Sequence, residues 1–529
     1  MSDASYEVHT YSIDCLKDVF AKASLASKEY INGNLHTLYF EGYCSDIGAS
    51  TVVVESEYID QHYLEDFAEY YARCFYTYKR KCTRVHLFKS TFVADDLAKL
   101  LAGEQAKISQ ESLQESYLGF VVVQPLPETI IGRTCLRTYD DDNNRRHFPI
   151  TRKYAVNLFG IKLSVKTLAY QEQDRAVAVC ATSALWSVFQ GTGVLWHHPI
   201  PSPIEITKTA TSQSSPESRT LLQNGLNPQQ LANGIRSVGL EPYIINANVD
   251  YVLKTSIYAY LSMGIPVILG FQLIDTTCNP NKLMGRHAVA VTGFSTGLTA
   301  PTPLQQNGFV NRATQIDKIY VHDDQIGPFA RMEFDGNDVN VLVNTAPPQV
   351  QQSWSLSTSW KGNNGEGPVG SARCVPEILI VPLYHKIRIP YEDIHNTVMR
   401  FDGLIWGLIQ RGHLPIQERL EWEINLTTVN QLKADNFNSA DLDADQRTAM
   451  LTSSMPKFIW KATGYSGGNL ILTFLFDATD MAQGPYFIRA LEYDSAVSAI
   501  LRAVVKTPQV EKNFQGKPEW KIIEWFRNT

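Results

Sequence analysis

Residues Gln171-Glu-Gln-Asp-Arg-Ala-Val-Ala-Val-Cys180-Ala-Thr-Ser-Ala-Leu-Trp186 set the reading of the whole chain. A polar turn rich in Gln and Asp runs into a cysteine, and the cysteine opens an apolar, Ala-rich segment that reads as a helix ending near Gly191. A thiol at a helix N-terminus feels the positive end of the macrodipole, which favours the thiolate. A thiolate nucleophile also needs a base and an orienting group. Both are found downstream. His287 heads the apolar strand His287-Ala-Val-Ala-Val-Thr-Gly293, and Asp323 closes the strand Lys318-Ile-Tyr-Val-His-Asp323.

Each residue alone carries little. A cysteine is most often a small buried hydrophobe, and a His at a strand start is often a structural residue. Their order is the informative feature: Cys at a helix start, His heading a strand, Asp ending the next strand. In that order Cys180 is the nucleophile and His287 takes its proton. Asp323 fixes the imidazole, and Gln173 joins the Cys180 amide as oxyanion donor. Alternation along the strand puts Ile319, Val321 and Asp323 on one face and Asp324 on the other, so Asp324 is the fallback. Gln171 is the alternative to Gln173.

The segments Cys180-Ala-Thr-Ser-Ala-Leu-Trp186, Gly285-Arg-His-Ala-Val-Ala-Val-Thr-Gly-Phe294 and Ile319-Tyr-Val-His-Asp-Asp324 resemble the papain-like cysteine peptidases. The likeness is closest to the C39-like branch of bacteriocin-leader peptidases and covers about residues 155–345. Gly264-Ile-Pro-Val-Ile-Leu-Gly-Phe271 is similar to the "GxPVIV" passage of the same branch. Two positions depart from the family pattern. The Gln expected six residues before the cysteine is Asp174 here, and the family's Asp-Pro is Asp323-Asp324. The resemblance implies a cysteine peptidase that forms an acyl-enzyme and needs neither cofactor nor metal, with a protein or peptide as substrate. The same residues also serve transglutaminases, deamidases and acyltransferases, and a non-catalytic binding protein on a peptidase-like fold is the remaining alternative.

At 529 residues the chain exceeds what one hydrophobic core supports. The expected architecture is α+β: an α/β scaffold or recognition domain at 1–150, the papain-like domain at 151–350, and an α/β region of unassigned role at 375–529. In the first of these, Thr37–Tyr43 and Thr51–Glu55 read as strands and residues 61–78 as an amphipathic helix. Residues 196–218 read as a long loop, and Trp360–Gly370 as a flexible loop at a domain boundary. Net charge of -7 argues against a nucleic-acid-binding role. The N-terminus has no signal-peptide pattern, and no apolar run is long enough to span a membrane. The eight cysteines show neither a disulfide framework nor zinc spacing, so a cytoplasmic protein is expected.

Three other motifs fail on their surroundings. Gly293-Phe-Ser-Thr-Gly297 matches GxSxG but is not followed by a helix. Asp441-Leu-Asp-Ala-Asp445 opens like a calcium loop, yet Gln446 and Thr452 stand where Gly and Glu are required. His197-His198 has no further ligands at metal-binding spacing.

Overall fold

A computed structural model describes residues 6–172, 180–212, 226–343, 349–480 and 486–529, without the side chains of Cys180, Leu342 and Val343. Helices and strands are interspersed along the chain in a mixed α+β arrangement. Neither of its two compact units is a continuous segment. One comprises Met1–Asn248, Gly264–Ser295 and Asp317–Pro382; the other comprises Val249–Met263, Thr296–Ile316 and Leu383–Thr529. Residues 1–150 thus share a unit with Cys180, His287 and Asp323.

Within the first unit, an antiparallel meander runs in the order Tyr6–Thr10, Thr51–Tyr58, Cys82–Phe88, Tyr117–Val123, Ile131–Leu136. The first two strands are separated by helices. One of these, Leu35–Asp46, includes the Thr37–Tyr43 stretch expected to be a strand. Asn34 caps it by accepting the His36 amide hydrogen bond. His36, Phe40 and Tyr43–Cys44 fall on one buried stripe, a 3.6-residue period hidden by strand-favouring residue types. The helix begun at Gln61 stops at Glu69 rather than near Tyr78. Tyr78 reaches the same aromatic cluster by a fold in the chain, packing on Tyr71, which packs on Tyr63.

The largest sheet of this unit has seven strands. Its order is Gly327–Glu333, Ile316–Asp323, Lys282–Thr296, Val267–Asp275, Ala372–Tyr384, Leu240–Asn246, with the short strand Arg146–His147 paired to the end of Lys282–Thr296. Ala372–Tyr384 opens the region expected to begin at 375. It lies between two strands of this sheet, although it follows the expected boundary loop in sequence. The helix Cys180–Trp196 packs against Val267–Asp275. It is buried from Ala181 through Thr192, as expected of a helix apolar on nearly every side.

The loop expected after Trp196 contains a helix, Pro203–Thr211. Ser202 and Glu205 form its capping box, and Pro203 occupies its first turn. Asn227 caps the helix Pro228–Ser237 by accepting the Gln230 amide, and Pro228 occupies its first turn.

The second unit is built on the sheet Val310–Asn311, Glu421–Thr428, Phe458–Ser466, Asn469–Asp477, Phe487–Glu492. Asp402, on the helix Tyr391–Gln410, is fully buried there. It accepts hydrogen bonds from Arg419 at 2.6 and 2.8 Å and from the Trp422 indole at 2.8 Å. These donors satisfy a charge that burial alone would penalise heavily.

Candidate functional site

His287 and Asp323, 36 residues apart, meet because their strands are neighbours in the seven-stranded sheet. His287 Nε2 lies 3.0 Å from Asp323 Oδ1. An ionised carboxylate only accepts, so this contact places the proton on Nε2 and makes Nδ1 the basic nitrogen of the neutral ring. On the adjoining strand Phe271 stands opposite His287 in register, and its ring meets the imidazole edge-on at 5.5 Å. The strand carrying Phe271 is also the one against which the Cys180 helix packs. Cys180 is the first residue of that helix. Its side chain, like the whole of Gln173, lies outside the described residues, whereas Gln171 is described and partly exposed.

Asp324 does not turn away from the site as strand alternation requires. The strand ends at Asp323 and Asp324 begins the turn into Gly327–Glu333, where its Oδ1 lies 3.4 Å from His287 Nε2. Both carboxylates are 3% exposed and the imidazole 8%. Their environments set them apart. Burial works to raise the Asp323 carboxyl, but His287, the Trp360 indole and the Gln325 amide outweigh it and hold Asp323 below its usual range. Burial pushes the Asp324 carboxyl up to about 6; the His287 charge opposes this, and the Asp323 charge adds to it.

A folded-state value above the unfolded one means that the native protein holds the Asp324 proton more tightly. Stability therefore falls as pH rises from about 4 to about 6. Asp324→Asn is expected to be near neutral at about pH 4 and to stabilise by about 2 kcal/mol at about pH 7. Urea unfolding at the two pH values measures this; equal effects at both would show that Asp324 ionises freely.

Trp360 is the site residue that the sequence did not reveal. Its indole N–H donates to Asp323 Oδ2 at 2.8 Å, and its ring meets His287 edge-on at 5.0 Å. The Gly-rich segment after it, expected to be flexible, is tied down. The Asn363 amide donates to Asp275 Oδ2 at 2.7 Å, and the Gly362 amide to Ser371 Oγ at 2.8 Å. The Gly370 amide donates to the Trp360 carbonyl at 3.0 Å. A Cβ on Gly362 would lie 2.1 Å from Asp275 Oδ1, so this position requires glycine. A Trp beside Gly and Asn was the only sequence signal, and it does not specify a partner 37 residues away.

The helix Leu35–Asp46 also reaches the site. His36 Nε2 lies 3.0 Å from both the Asp324 carbonyl and the Tyr170 hydroxyl. Two residues beyond Tyr170, buried Glu172 accepts the Ile130 and Ile131 amides on Oε2, both at 2.9 Å. The chain leading to Cys180 is thereby anchored to the meander.

The other motifs have structural roles. Ser295 lies within the extended strand Lys282–Thr296, with no strand-to-helix elbow. Asp443 caps the helix Ala444–Thr452. His198 contacts Thr192 Oγ1 and the Pro199 carbonyl. Among the described residues, no helix is long and apolar enough to cross a membrane. No protein-family model and no curated protein matches the chain.

Proposed function

We propose that the chain is a cysteine peptidase with a papain-like core of the C39-like kind. The observation that carries this reading is the buried 3.0 Å contact between His287 Nε2 and Asp323 Oδ1. It occurs one strand away from the strand packed on the helix that Cys180 begins. With Nε2–H held by Asp323, Nδ1 takes the Cys180 proton and the thiolate attacks a peptide carbonyl. The Cys180 amide, at the positive end of its helix, and Gln173 stabilise the oxyanion. The tetrahedral adduct collapses, and the imidazolium gives its proton to the departing amine, leaving a thioester. Water, deprotonated by His287, then cleaves the thioester and restores the thiol. Trp360 and Gln325 act as positioning residues by keeping Asp323 ionised and oriented.

The test combines alkylation with product analysis. Iodoacetamide is expected to label Cys180 faster than the other seven cysteines, and peptide mixtures should acquire new N-termini. Ammonia release without chain cleavage would transfer the site to glutamine deamidation or transamidation. Uniform labelling of all cysteines would leave only a binding role.

A further inference from the structure

His287, Asp323 and Asp324 each offer one ligand atom, and these atoms all lie within 4.8 Å of one another. Two of the separations are more specific: Nε2 is 3.0 Å from Asp323 Oδ1 and 3.4 Å from Asp324 Oδ1. A tetrahedral ion with bonds of about 2.0–2.1 Å to N and O ligands holds them about 3.3–3.4 Å apart. The two separations from Nε2 are therefore close to those such an ion imposes.

A second observation is independent of spacing. Asp324 Oδ1 is buried and accepts no hydrogen bond, although a buried carboxylate oxygen ordinarily has a donor or a cation. The surrounding contacts match those that orient metal ligands. The Trp360 indole holds Asp323 Oδ2, and the Gln325 amide reaches Asp323 Oδ1 at 3.1 Å. The Gln325 side-chain amide lies 3.4 Å from Asp324 Oδ2. Phe271 and Trp360 fix the imidazole plane from two sides.

We propose that His287, Asp323 and Asp324 form a binding site for a divalent transition cation of the zinc class, and that the bound cation switches the thiol chemistry off. One imidazole and two carboxylates suit zinc better than calcium, which takes oxygen ligands. Binding needs the lone pair of Nε2, so the proton on Nε2 moves through solvent to Nδ1 and the ring remains neutral. With Nδ1 protonated, the imidazole has no lone pair for the Cys180 proton, and the thiol stays neutral. The inhibitory half of the proposal rests on the peptidase reading; the binding half does not.

The test uses the full chain freed of metal. Calorimetric titration of Cys180→Ala with zinc chloride removes the candidate nucleophile from the measurement. A single tight equivalent is expected, weakened about tenfold or more by adding Asp324→Asn or His287→Ala. Cobalt(II) bound there should give a visible spectrum without thiolate charge-transfer bands. Circular dichroism of each variant checks folding, and Asp324→Asn is expected to be the more stable of the two. No tight binding, or binding that Asp324→Asn leaves unchanged, would overturn the proposal. Iodoacetamide labelling of the metal-free wild type separates the two readings. Fast labelling of Cys180 without zinc binding leaves the peptidase and removes the metal site. Zinc binding without selective labelling does the reverse. If both hold, zinc should slow the labelling and a chelator should restore it; labelling indifferent to bound zinc sinks the inhibitory half.

Discussion

His287→Ala is expected to slow both iodoacetamide capture of Cys180 and peptide cleavage by about 10²–10⁴-fold, the usual contribution of a positioned general base. The substitution removes the only imidazole in contact with Asp323 among the described residues. It leaves a buried carboxylate still held by the Trp360 indole and the Gln325 amide, so the fold should survive. His287→Gln sharpens the comparison. Its amide can still donate to Asp323, yet it cannot accept a thiol proton near neutral pH. Both variants should therefore lose reactivity alike, with His287→Gln the more stable in urea. A loss of less than about tenfold in both variants would mean that Cys180 does not depend on this imidazole.

Glu172→Ala carries the largest expected effect on stability. One carboxylate oxygen, Oε2, accepts two main-chain amides at 2.9 Å, those of Ile130 and Ile131. Glu172 is 8% exposed, so water does not readily replace it. Hydrogen bonds to a charged group contribute about 1.5–3 kcal/mol each, and the two share one acceptor. A loss of about 3 kcal/mol is expected, seen as a lower urea midpoint with little change in slope. Glu172→Gln, which keeps a carbonyl acceptor, should recover part of it. The site should feel the same change, because Glu172 anchors the chain shortly before Cys180; thiol labelling of Glu172→Ala should slow as well. A stability loss below about 1 kcal/mol would show that the Ile130 and Ile131 amides find other acceptors.

These two variants probe contacts of different legibility. His287 and Asp323 could be picked out because each bounds an apolar run in the sequence, although the strand carrying His287 starts five residues earlier, at Lys282. Glu172 lies eight residues before Cys180, yet its role is not legible there, since its partners are the Ile130 and Ile131 amides 42 and 41 residues earlier. The helix Leu35–Asp46 is hidden for a related reason. Thr37–Tyr43 is rich in residue types that favour strands, and its helical stripe becomes visible only with the caps and neighbours around it.

What the sequence by itself determined was set by short-range chemistry. Asn227-Pro228 starts a helix, alternation makes Ile161–Thr167 a half-solvated strand, and the Ala-rich run after Cys180 is a buried helix. Those features depend on neighbours within a few residues, where capping, φ restriction and periodicity operate. Tertiary structure alone decided the rest. It threaded Ala372–Tyr384 between Val267–Asp275 and Leu240–Asn246. It brought Trp360 onto Asp323, and the turn that begins at Asp324 brought that carboxylate to His287. Each of these comes from closing the chain over tens of residues, which depends on how strands pair and pack and leaves no periodic trace in the sequence.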